Sequence, residues 1–178
     1  MNLDLVIQQL RLNAPMFQGR VAGAADFEKS LATEVAMLLP AAYVIPLAED
    51  ADANTLSNAL NQLVTEHIGV VVEFDNSTDR RGQSVTSLYD ATRVQLWASL
   101  LNWRVDPIRA TRGLESSGAR KLDQDRARLF YQWDFSLVIT ISDADGWQVP
   151  VVPLLEIDSD FQNRGRHLVG DRTLLPQT

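Results

Sequence analysis

Few side chains of this 178-residue chain are suited to catalysis. Cysteine is absent, which removes thiolate nucleophiles, thiolate metal sites and disulfide frameworks. His67 and His167 are the only histidines, so one chain cannot build a multi-histidine metal centre. His67 follows Glu66, and neighbours on a strand point to opposite faces. It therefore reads as a polar-face residue rather than a general base. His167 lies in Arg164-Gly165-Arg166-His167, a small basic spot suited to a phosphate or an acidic partner. Arg80-Arg81 is a second basic pair that could dock an acidic surface.

The acids invite a metal reading and then decline it. Asp143-x-Asp145-Gly146 begins like a calcium loop, but its twelfth place holds Leu154 instead of Glu. A turn accounts for it. Glu156, Asp158 and Asp160 alternate, which puts them on one strand face. They read as a solvated acidic edge that discourages wrong strand pairing. Phosphate-cradling glycine loops and nucleophile elbows are missing. No catalytic residue, cofactor or metal is expected. A small acidic hydrolase or ligand-binding domain using Asp143, Asp145 or Asp158 would need a deep pocket with converging polar groups.

Bulk composition narrows the class further. Lys and Arg number 16 against 23 Asp and Glu, a formal charge of −7. That balance argues against a general nucleic-acid binder. With 46% hydrophobic residues, the chain can bury a core. No apolar run is long enough to cross a membrane as a helix, and the first residues lack a basic start. A soluble protein made in the cytoplasm is expected.

These residues need elements to hold them. Leu3, Val6, Ile7 and Leu10 form a helical stripe, with Asn2 as its cap and Asp4 in its first turn. Asp26 is expected to cap a second helix running toward Pro40. Residues 41–47 read as a strand, with Pro46 marking an edge or an end. A second strand is expected over 61–75, from the β-branched cluster at 68–72. Residues 82–101 carry the clearest helical spacing, with Trp97 expected in the core. Residues 108–127 suit a loop or short hairpin. From Leu129 to Ile141 seven apolar residues alternate strictly, which predicts a long strand with Trp133 buried. After residue 143 the chain has no helical period. The expected architecture is α/β (α+β): a mainly antiparallel sheet with long strands, packed by two to three helices. Residues 1–142 make the domain, and 143–178 an extended arm. Trp147, in the arm, is the expected interface anchor.

Several segments in order are also similar to one family. Phe17-x-x-Arg20-Val21-x-Gly23-Ala24-Ala25-Asp26-Phe27 leads into Pro40-Ala41-Ala42-Tyr43-Val44-Ile45-Pro46-Leu47-Ala48-Glu49. Gln62-x-Val64, Val70-Val71-Val72, Asp79-x-Arg81-Gly82, Leu100-Leu101-x-Trp103 and Pro107 follow. The series, over residues 1–142, resembles the tail terminators of Mu-like bacteriophages and prophages. The resemblance implies a non-enzymatic virion protein that forms a hexameric ring. Such a ring caps the tail tube at its head-proximal end and stops polymerisation. Its implied partners are further copies of itself, the major tail tube protein, the head–tail connector or stopper, and the tape-measure protein. DNA would pass through the lumen without specific binding, and no membrane is involved. A neighbouring neck protein is the alternative within the same assembly. No catalytic residues carry over.

Overall fold

The computed structural model describes residues 1–32, 37–75, 83–124, 128–148, 156–163 and 166–174. Helix α1 (Leu3–Asn13) starts where the Asn2 side chain accepts a hydrogen bond from the Asp4 amide at 3.0 Å. It buries Val6 and Leu10. Strand β1 (Val21–Gly23) is followed directly by helix α2 (Ala24–Leu31). The cap of α2 is Gly23, so Asp26 lies inside the first turn rather than before it. Acidic residues favour that position too, because the helix dipole is positive there.

Strand β2 (Ala41–Ala51) runs past the expected end at Leu47, through a register shift between Pro46 and Glu49. Strand β3 (Asn61–Asp75) pairs antiparallel with β5 (Arg128–Ser142) from Asn61↔Ser142 to Asp75↔Arg128. Fifteen residues of strand reach about 50 Å, so this ribbon is the spine of the molecule. Helix α3 (Gln83–Leu100) separates the two strands in sequence. Strand β4 (Glu115–Gln124) is the hairpin partner of β5, where the polar sequence was compatible with a loop. An edge strand can be polar on both faces, since backbone pairing on one side is enough to hold it. The sheet order is β1-β2-β3-β5-β4, with only β1 and β2 parallel. It is the mainly antiparallel, helix-backed sheet expected from the sequence.

Both faces of this sheet carry packing. Ala42, Val44, Ile68, Val70, Val72, Phe74, Trp133, Phe135 and Leu137 face α1 and α3 and form the main core. Tyr43, Val71 and Phe130 face the other way and pack with Phe27 of α2. The alternation in β5 therefore does not divide a dry face from a wet one. Phe130 and Gln132, on the face opposite Trp133, are buried as well. Trp133 is buried as expected, whereas Trp97 is 38% exposed, with the Arg93 guanidinium 5.2 Å above its ring. Helix α3 turns Leu96 and Leu100 inward instead.

Gly113 has a steric reason. A Cβ there would sit 2.2 Å from the Asn102 carbonyl carbon, an impossible contact. That close approach lets the Asn102 amide donate to the Leu114 carbonyl at 2.9 Å, closing the turn after α3.

The chain divides into two compact units, Met1–Asp145 and Gly146–Thr178. In the second, β6 (Glu156–Asn163) and β7 (Arg166–Leu174) pair antiparallel.

Candidate interaction surfaces

The helices cover only one half of the β3–β5 ribbon. Along β3, residues 68–74 are buried, whereas 61–67 are exposed or half-buried except Val64. β2 follows the same division. Residues 41–44 are buried and the strand is exposed from Pro46 onward. An inner, helix-backed half and an outer, bare half result.

The inner half holds one buried carboxylate. Glu73 is fully buried among Ser30, Tyr43 and Arg128. The Ser30 hydroxyl donates to its Oε2 at 2.6 Å and the Tyr43 hydroxyl at 3.1 Å. Arg128 lies 3.5 Å from the other oxygen and also donates to the Ser30 carbonyl at 2.6 Å. Burial, more than the neighbouring carboxylate, pushes the Tyr43 phenol up from its usual pKa. This network ties α2 to the sheet. The sequence pattern alone does not single out Glu73. The signal was its position two residues beyond Val71, on the face that Tyr43 and Phe130 share.

On the α2 side of the sheet, the surface turns polar beyond the reach of α2, from the rows of Gln132 and Asp134 outward. Arg120 donates to Asp134 at 3.0 Å, Ser117 to Ser136 at 2.9 Å, and His67 lies 3.2 Å from Asp50. His67 is a polar-face residue here, as its strand position requires. Gln132 lies across Gly69, where an added Cβ would stand 3.1 Å from its Nε2, and it donates to Asp134.

The acidic turn is also occupied. Asp143 accepts from the Leu60 amide at 2.8 Å. Asp145 accepts from the Ser142 amide at 3.0 Å and from Arg109 Nε at 2.7 Å. The Ser142 amide bond and then Arg109 hold the Asp145 carboxyl below its usual pKa. Asp106 is held low by the Arg109 and Ile108 amides. A depression of about 370 Å³ lies here, lined by Ile108, Arg109, Thr140 and Asp145 among others. Its acids are turn-closing acceptors, not free bases. Among the described residues, no three acids or histidines are grouped to hold a metal.

Of the basic candidates, Arg80, Arg81 and Arg164 lie outside the described residues. Arg166 opens β7 opposite Asn163, and His167 stands opposite Gln162. In the same hairpin Asp158 stands opposite Arg172. Trp147 is 82% exposed.

Half the length of this sheet is bare, and Asp106, Asp134 and Asp145 are engaged in turns and ion pairs. The family model for "Phage tail terminator protein" matches residues 1–145, so the chain belongs to the phage tail terminator family, a structural component of phage tails. Among solved structures it is similar to a chain in "Virion of native gene transfer agent (GTA) particle". That similarity has a TM-score of 0.49 and 16% identity, covering 76% of this chain and 91% of the other. No curated protein matches the chain.

Proposed function

We infer that this protein caps the head-proximal end of the phage tail tube as a hexameric ring, ends tube polymerisation and offers the docking surface for the head. The observation that carries this reading is the family match over residues 1–145. The bare outer half of the sheet supports it, because a ring subunit must keep surface free for two neighbours. The partners are then other copies, the major tail tube protein, the connector or stopper, and the tape-measure protein, all within a virion assembled in the host cytoplasm. Residues 143–178 act as the arm that reaches a neighbour or an adjoining ring. Trp147 anchors it, and Arg80, Arg81, Arg164 and Arg166 supply cationic contacts. The charge of −7 per chain suits a lumen that lets DNA pass without holding it.

Deleting the gene tests the reading. Tails of uncontrolled length, restored to one length by complementation, are expected. Tails of normal length that fail to join heads would instead assign a neighbouring neck protein. A neutral or basic lumen in the assembled ring would overturn the proposed role of the charge.

A further inference from the structure

Among the described residues, the five-stranded sheet ends in two open edges. At one edge, β1 pairs with Val21↔Ala42 to Gly23↔Val44 only. Beyond Val44 the outer side of β2 has no strand among the described residues. That free stretch carries Glu49 and Asp50, followed by Asp52, all exposed. At the other edge, β4 carries the exposed Arg120 and Lys121 side by side between Glu115 and Asp123, with Arg120 also meeting Asp134 of its own sheet. An unpaired edge is a template for another strand.

The two edges match in direction, face and irregularity. β2, β3, β5 and β4 alternate in direction, so β2 and β4 run opposite ways. Set side by side with the sheet continuing, they are antiparallel. Glu49 stands on the row of Glu66 and Leu137, the face that Lys121 shares through Tyr131. Asp50 stands on the row of Thr65 and Val138, the face that Arg120 shares through Gln132. One antiparallel register therefore pairs Glu49 with Lys121 on one face and Asp50 with Arg120 on the other. The same register brings the β2 irregularity between Pro46 and Glu49 level with the β4 irregularity between Lys121 and Asp123. The exposed Leu47 and Leu122 both lie in that stretch. β1 blocks only the stretch of β2 beyond this overlap.

We propose, resting on the ring reading above, that the occupant of these edges is a second copy of this chain. The acidic outer stretch of β2 in one subunit pairs antiparallel with β4 of the next, making one continuous sheet around the ring. The contact is heterologous, so each subunit uses one edge for each neighbour and closure leaves neither free. Edges that only resisted aggregation would be served by any charge. Here two acids of one edge register with two bases of the other, one pair on each face. Directly opposite residues have Cβ atoms about 4.5–5.5 Å apart, and opposite charges there also steer encounter.

The chain has no cysteine, which makes cross-linking clean. A chain carrying both Glu49→Cys and Lys121→Cys, alone and mixed with tail tubes, is expected to give an oxidant-dependent ladder of oligomers ending at the closed ring. Mixing the two single variants should stop at dimers containing one of each. A ring visible by microscopy without these cross-links overturns the edge pairing and leaves the ring intact. Cross-linking to the tube subunit instead overturns it too. If no ring forms, alone or on tubes, the ring reading falls and the pairing with it. As a second arm, Glu49→Lys with Asp50→Lys should weaken assembly about tenfold while circular dichroism stays native. Adding Arg120→Glu and Lys121→Glu should restore it, and failure of restoration counts against the pairing.

Discussion

The inner and outer halves of the β3–β5 ribbon share one pair of strands and one alternating pattern, yet they differ in burial. Residues 68–74 of β3 lie under α1 and α3 on one side and, near Tyr43, under α2 on the other. Residues 61–67 lie beyond most of that cover. Strand propensity alone does not make a core. The helices decide which stretch of an amphipathic ribbon becomes dry, and the remainder stays available for contacts outside the subunit.

The largest expected effect breaks or confirms that division. Trp133→Ala removes a fully buried ring that stacks on Tyr89 at 5.1 Å. It should cost about 3–5 kcal/mol in urea unfolding. Ile141→Ala changes the same face of the same strand in the outer half, where the residue is half-buried. Its cost should stay near ~1 kcal/mol. Equal costs would mean that the ribbon is one uniform core.

The buried ion network comes next. Glu73→Ala leaves the Ser30 and Tyr43 hydroxyls without their acceptor and removes the carboxylate beside Arg128, at roughly 3 kcal/mol. Arg120→Ala removes an exposed pair with Asp134 on the polar surface beyond α2 and should change stability by less than about 1 kcal/mol. Chemical denaturation of the two variants compares them directly. A larger loss from Arg120→Ala would show that this polar surface holds the fold.

Much of this division was legible in the sequence, and the illegible parts have physical causes. Periodicity gave α1, β3, α3 and β5 because each is long and one-sided enough to show its period. β4 was hidden, since an exposed edge strand has no apolar alternation to display. Trp97 was misplaced because helical spacing shows that a stripe exists, not which flank of it meets the sheet. Glu73 was missed because α2 covers the second face only locally, and nothing in β3 itself records where α2 lands. Of the basic candidates, Arg166 and His167 gain a strand and a register but no site.

Titration separates the halves more gently. Tyr43 belongs to the inner half, and burial raises its pKa above the usual 10.0. The folded state therefore favours the neutral phenol. That stabilising contribution is complete below the unfolded value and is lost as pH rises through the folded one. Tyr43→Phe should flatten the loss of stability on the alkaline side, measured by unfolding at successive pH values. A variant curve parallel to the parent's would remove Tyr43 from the alkaline limb.

The smallest effect sits at the outer end, where Asp145 closes the turn after Ser142 and meets Arg109. Its carboxyl is held below 3.8, so the sign is opposite to that of Tyr43. Its stabilising contribution is present above the unfolded pKa and is lost as pH falls through the folded one. Asp145→Asn keeps an oxygen that can accept from the Ser142 amide but loses the charge facing Arg109. The variant should therefore match the parent near neutrality more closely than a Glu73 variant does, and lose less on acidification. The exposed pair is also open to screening by salt, so raising ionic strength should narrow the gap between parent and variant. An acid limb unchanged by the substitution, at low salt, would assign that limb to carboxylates elsewhere and leave the outer turn held by its amide bonds alone.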